Sequence, residues 1–108
     1  MTKKTDFTFL SSDGRTRLHG ISWVPEGAAP AAVLQIVHGV AEHIDRYDGF
    51  AHFLNGHGVI VVGHDHLGHG RSLTEGGTPV YFGRGNTWNT PVDDIYVLHT
   101  RIREQYPD

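Results

Sequence analysis

Apolar residues along the chain fall into two patterns. Phe7 to Leu10 alternates and predicts a short strand, and Arg17 to Val24 predicts a second, with Leu18, Ile21, Trp23 and Val24 supplying its apolar surface. Ser11-Ser12-Asp13-Gly14 between them reads as a hairpin turn, because Asp-Gly accepts the backbone angles such a connection needs. Pro25 stops the second strand. Two later runs do not alternate. Ala31 to Val37 (AAVLQIV) and Val59 to Val62 (VIVV) are nearly continuous, the pattern of strands buried on both faces of a parallel sheet. Between them Tyr47, Phe50, Ala51 and Leu54 recur at i, i+3, i+4 and i+7 and predict one face of a helix, with Asn55-Gly56 and Gly58 as its stop.

Strand, helix and strand over this length make a βαβ unit with a right-handed crossover. A last helix is expected from Thr90-Pro91, with Thr90 as N-cap, Pro91 in the first turn, and Asp93 and Asp94 complementing the dipole. Val92, Ile95, Tyr96, His99, Ile102 and Tyr106 trace its expected apolar face, and Pro107 ends it. The order β-β-β-α-β-α predicts the α/β class: one domain over residues 1–108, its sheet mostly parallel after an antiparallel hairpin.

Composition narrows the function. The net charge of −3 is spread along the chain, which gives no basic footprint for nucleic acid. Absence of cysteine excludes disulfides, thiolate metal sites and a cysteine nucleophile. Met1 to Asp6 has no apolar leader core, and no apolar run reaches the roughly 18 residues of a membrane span. The expectation is a cytoplasmic protein without a transmembrane segment. Histidine is unevenly placed: of nine, seven lie between His38 and His69.

Those histidines mark two loops, each directly after a predicted buried strand. Ligand sites in open α/β sheets lie beyond the carboxyl ends of strands, so both loops emerge on the edge where chemistry is expected. The first is His38-Gly39-Val40-Ala41-Glu42-His43. Backbone N–H groups exposed at such a turn can stabilise developing negative charge. The same residues also read as an ordinary strand-to-helix loop holding two histidines. The second loop is Gly63-His64-Asp65-His66-Leu67-Gly68-His69-Gly70-Arg71-Ser72. His64, His66 and His69 have the histidine spacing of the zinc signature of metallo-β-lactamase-like hydrolases, but Gly68 stands where that signature needs aspartate. No metal and no cofactor is assigned. Ser72 sits in Gly70-Arg71-Ser72-Leu73-Thr74, which lacks the second glycine of a Gly-x-Ser-x-Gly nucleophile elbow, as does the segment around Ser22. Ser72 is expected to bond its own loop backbone.

Taken together the two loops are more specific than either alone. The string from His38 to Ser72 resembles the oxyanion-hole loop through the fourth strand of α/β-hydrolases of the monoacylglycerol lipase and lysophospholipase type. The family pattern His-Gly-x-x-Glu-His, Arg-Tyr, then Asp-x-x-Gly-His-Gly-x-Ser is met at His38, Gly39, Glu42, His43, Arg46, Tyr47, Asp65, Gly68, His69, Gly70 and Ser72. Ala41 stands where epoxide hydrolases and haloalkane dehalogenases usually carry proline, which favours the lipase branch.

The resemblance implies the N-terminal half of an α/β-hydrolase fold and ester hydrolysis through Ser, Asp and His, met in that order along the chain. It assigns the Val40 N–H to the oxyanion hole, with support of that loop from His38, Gly39, Glu42, His43 and Arg46. Glu42 and Arg46 are expected to pair, being four apart. Asp65, Gly68, His69, Gly70 and Ser72 are assigned structural roles in the loop after the fourth strand. By the same resemblance all three triad residues lie beyond Asp108, and the chain alone is expected to be inactive. The expected partners are an acyl ester substrate and the rest of the hydrolase domain, or another chain, pairing with the strand Ala32–Val37. Two other readings stay open at this point: a metal-dependent hydrolase using His64, His66 and His69, and a non-catalytic half-sheet module.

Overall fold

A computed structural model describes residues 2–27, 29–40, 42–73, 77, 79, 81–82 and 85–107. Its strands are β1 (Thr2–Leu10), β2 (Arg17–Pro25), β3 (Ala32–Ile36) and β4 (Val59–His64), and its helices are α1 (Asp48–Asn55) and α2 (Asn89–Gln105). Short 3₁₀ turns occupy Ile44–Tyr47 and Gly70–Ser72. The strands form one sheet in the order β1-β2-β4-β3. β1 and β2 are an antiparallel hairpin, β2 pairs antiparallel with β4, and β3 runs parallel to β4 with Ala32 opposite Val59 and Ile36 opposite Gly63. The βαβ expectation therefore holds, with α1 as the crossover.

The two helices cover opposite faces of the sheet. Side chains alternate along β2, so Ile21 and Trp23 point to one face and Leu18 to the other. Under α1, Ile21, Trp23, Ile36, Ile44, Ala51 and Val61 form one buried cluster. Under α2, Phe9, Leu18, Ile60, Val62, Leu67, Leu98 and Ile102 form the other. β4 contributes to both, and it is buried from Ile60 to His64.

Several expectations are corrected. β1 begins at Thr2, because its polar half is carried by backbone pairing as far as Thr2 with Pro25. β3 ends the sheet, the open edge expected of the strand that a partner would pair with, but its run is not buried on both faces as the apolar pattern suggested, and Leu34 and Val37 remain exposed. A periodicity rule reads composition and cannot tell a central strand from an edge one. Tyr47, at the end of the preceding 3₁₀ turn, packs inward with Ala51 and Leu54 of α1, while Phe50 is exposed. The inward face of α2 is Pro91, Asp94, Leu98 and Ile102, whereas Val92 and Tyr96 are exposed.

The rotation of α2 has a polar cause. Asp94 is fully buried and accepts from the Ser11 hydroxyl at 2.9 Å, the Ser12 N–H at 2.7 Å and the Ser12 hydroxyl at 2.7 Å. Pulling that carboxylate toward the β1–β2 turn turns Val92 and Tyr96 outward. Asp94 thus anchors the helix and does not serve as a dipole complement. The helix starts at Asn89 rather than at Thr90 and has no side-chain N-cap bond. Ala41, on which the choice between hydrolase branches was read, lies outside the described residues.

Candidate functional site

The parallel pair β3 and β4 delivers both histidine-rich loops to the same end of the sheet. The loop after β4 is organised by Asp65, which is 1% exposed. Its Oδ1 accepts the Ile44 N–H at 2.7 Å. Its Oδ2 lies 2.7 Å from His19 Nδ1 and accepts the Arg71 N–H at 3.1 Å. The Asp65 N–H donates to the His19 carbonyl at 2.8 Å. A carboxylate taken out of water is tolerated only when its lone pairs are matched by donors in this way. One side chain thereby joins β2, the turn before α1 and the turn after β4.

Ser72 completes that assembly. Its hydroxyl donates to the Asp65 carbonyl at 2.7 Å and accepts the His19 N–H at 2.9 Å, and the residue is buried. The hydroxyl is thus engaged on both sides, by the Asp65 carbonyl and the His19 N–H. Gly70 has φ +48°, and a Cβ there would stand 2.6 Å from the Asp65 carboxylate. Gly68 has φ +73°, and a Cβ would stand 2.3 Å from the Tyr81 carbonyl oxygen. Both positions admit only glycine.

The loop after β3 is held from two sides. The Gly39 N–H donates to Glu42 Oε1 at 3.0 Å, and the Tyr47 hydroxyl donates to the same oxygen at 2.6 Å. These bonds, that from Tyr47 first, hold the Glu42 carboxyl below its ordinary pKa. The expected Glu42–Arg46 pair is replaced by this arrangement. The chain at 44–47 is 3₁₀, so the fourth residue onward is not stacked as it would be on an α-helix. The His43 and Arg46 side chains point to solvent.

On the other side, His38 is buried. Its Nδ1 lies 2.7 Å from the Gly39 carbonyl, and its Nε2 accepts the His66 N–H at 2.9 Å. His66 Nε2 donates in turn to the His38 carbonyl at 3.0 Å. Val40, by contrast, is 66% exposed, and among the described residues its N–H has no acceptor.

The histidines are therefore brought together as rings in contact, and burial keeps those of His38, His64 and His66 neutral. His38 lies 4.1 Å from the His66 ring and 5.1 Å from the His69 ring, and His64 lies 5.2 Å from His66. Burial pushes His38 down to about 4 and His64 to about 3, and lowers His66 as well. The metal reading of His64, His66 and His69 does not fit this geometry. His66 Nε2 and His69 Nδ1 already face backbone carbonyls, and no set of three ligand side chains converges among the described residues. A cleft of about 530 Å³ lies between Pro30–Val33 and the end of α2, but this is the opposite end of β3 from Val40 and carries no such chemistry.

Sequence reasoning missed His19, Tyr47 as a donor, and Asp94. His19 had one visible signal: it is a polar residue in register with Ile21 and Trp23 on a strand face that is otherwise apolar. The pairings of Tyr47 and Asp94 leave no local trace.

Residues 28–108 match the family described as "Serine aminopeptidase, S33" (Hydrolase_4). The chain is 38% identical over 86 residues to the monoglyceride lipase of Mus musculus, an alignment spanning 80% of this chain and 26% of the lipase. It superposes with a TM-score of 0.84 on a thermostable carboxyl esterase from Bacillus coagulans, at 29% identity, covering all of this chain and 34% of the esterase. A lipase in its open form gives a TM-score of 0.87 at 31% identity, covering 98% of this chain and 34% of that one. The chain thus spans about a quarter to a third of the length of these relatives, and its fold is the N-terminal half of an α/β-hydrolase.

Proposed function

From the membership of this chain in the Hydrolase_4, serine aminopeptidase S33 family, we propose that it forms part of a serine-dependent carboxylic ester hydrolase. Its substrates in this reading are monoacylglycerols, lysophospholipids or related acyl esters. The kinship to a monoglyceride lipase and the fit to a carboxyl esterase support that class. The observation that carries the mechanism is the N–H of the exposed residue Val40, without an acceptor among the described residues, on a loop whose neighbouring peptides are tied down.

The chemistry follows from that donor. A serine attacking an ester carbonyl creates an oxyanion, which two converging N–H groups stabilise more than they stabilise the ground state. Val40 supplies one, and the residue after the nucleophile supplies the other. Histidine accepts the serine proton and aspartate orients the imidazole. No Gly-x-Ser-x-Gly occurs within these 108 residues, so the nucleophile belongs to sequence outside them. Residues 1–108 by themselves will then not hydrolyse p-nitrophenyl esters above background. The open edge of β3, with Leu34 and Val37 exposed, pairs in this reading with the rest of the domain or with another chain.

The decisive comparison is Val40→Pro against Val40→Ala in the polypeptide that joins these residues to the nucleophile. Proline removes the donor and should lower kcat about a hundredfold or more, whereas alanine keeps it and should be mild. The proline variant must unfold cooperatively near the wild-type midpoint. Full activity in a folded Val40→Pro protein removes this loop from the oxyanion hole.

A further inference from the structure

Two consecutive peptides, His38–Gly39 and Gly39–Val40, carry four polar groups between them. Three are clamped by side chains. The His38 carbonyl accepts from His66 Nε2 at 3.0 Å, the Gly39 N–H donates to Glu42 at 3.0 Å, and the Gly39 carbonyl lies 2.7 Å from His38 Nδ1. The fourth, the Val40 N–H, has no acceptor among the described residues.

The tautomer of His38 follows from its neighbours. The His66 main-chain N–H can only donate, so His38 Nε2 must be bare to accept it. The proton of the neutral ring therefore sits on Nδ1 and points at the Gly39 carbonyl. That carbonyl and the Val40 N–H are the two ends of one planar trans peptide, and they point in opposite directions. Holding the oxygen inward against the buried imidazole thus aims the N–H outward. The same hydrogen bond polarises the peptide and strengthens the N–H as a donor.

Resting on the reading of Val40 as an oxyanion donor, we propose that His38 is the positioning residue of that donor: its Nδ1–H sets the orientation of the Gly39–Val40 peptide. His66 is the second element of the device. Its N–H selects the His38 tautomer, and its Nε2–H fixes the preceding carbonyl. His38 touches no substrate atom in this role and takes no proton from it.

Two variants separate the ring's two bonds. Asparagine places an amide donor where Nδ1 stands and gives up the acceptor for the His66 N–H. Glutamine reaches the Nε2 position and gives up the bond to the Gly39 carbonyl. The protein tested is the polypeptide carrying both these residues and the nucleophile, assayed on p-nitrophenyl butyrate. His38→Asn should keep kcat within about threefold while unfolding earlier, whereas His38→Gln should lose about tenfold or more in kcat with KM unchanged. Undiminished kcat in His38→Gln overturns the proposal. So do losses in the two variants that merely follow their loss of stability.

If either variant fails to fold, nitrogen NMR of the wild-type ring decides, with a protonated Nδ1 and a bare Nε2 expected and the opposite tautomer overturning the assignment. Val40→Pro separates the two levels of argument. An active, folded Val40→Pro protein sinks the oxyanion reading and this proposal with it. An inactive Val40→Pro protein beside a fully active His38→Gln sinks only the role of His38.

Discussion

The loops after β3 and β4 leave adjacent parallel strands at the same end of the sheet, and both are rich in glycine and histidine. Their polar groups have opposite fates. After β4, Asp65 and Ser72 are buried and bonded on every side, and glycine is required where the chain crosses the carboxylate. After β3, the loop is tied through Gly39 and His38 and then stops, leaving Val40 in solvent. In the first, the Asp65 carboxylate and the Ser72 hydroxyl are engaged in internal bonds. The second keeps one donor in reserve, held in place by its neighbours. The proposed role of Val40 as an oxyanion donor needs a rigid base, and Asp65 supplies one by fixing Ile44 at the end of the β3 loop.

The sharpest way to break this contrast is Asp65→Ala. It strands the Ile44 and Arg71 N–H groups and the His19 ring, and removing one partner of a buried charged network costs about 3–5 kcal/mol. Against a total stability of about 5–15 kcal/mol, urea unfolding should shift strongly or the fold should be lost. A small shift would mean that the loop after β4 is not the base.

Acid should come next. His38 and His64 are buried as neutral rings, with folded pKa values of about 4 and about 3 against an ordinary 6.5. The unfolded chain therefore takes up protons first as pH falls through 6.5, and stability present above that value is lost down to the folded pKa values. By pH 5 each ring should have removed about 2 kcal/mol. A urea midpoint that stays flat from pH 7.5 to pH 5 would show that these rings are hydrated in the folded protein.

The smallest expected effect compares glycines in the two loops. Gly70→Ala must hold a Cβ at positive φ against the Asp65 carboxylate and should cost about 2 kcal/mol. A Cβ at Gly39 meets Glu42 at an ordinary 3.6 Å, so Gly39→Ala should change the thermal midpoint little. Equal midpoints for the two variants would erase the distinction drawn between tight and open loops.

Much of the frame was legible before any coordinates. The VIVV run is an inner, buried strand, Asp13-Gly14 lies in the first turn, and the crossover helix is where the i, i+3, i+4 pattern put it. These features depend on local periodicity and turn chemistry. What was not legible depends on distant partners. The exposure of Leu34 on β3 follows from the sheet order and not from the AAVLQIV run, and only the family resemblance pointed to an open edge there. The face of α2 was misread because an aspartate, Asp94, was assumed to face water. The two loops stood out as strings, but the part played by each histidine depends on which ring nitrogen meets which backbone group. The register of His19 with Ile21 and Trp23 marked it as unusual, but its partner Asp65, 46 residues away, could not be read from the sequence.

The Asp94 anchor also bears on how the chain folds. Its bonds to Ser12 close a loop of 82 residues, while the β1–β2 hairpin needs only neighbours. During synthesis the hairpin is complete long before α2 exists, so one of its two faces waits uncovered while most of the chain is added. Closing so long a loop is only modestly more costly in entropy than closing a short one, because that cost grows with the logarithm of length. The delay is another matter, since contacts of high sequence separation slow the search. Docking of α2 on the serine turn is therefore the step at which this sheet becomes covered on both sides, and the interval before it is when Phe9 and Leu18 are most open to a wrong partner.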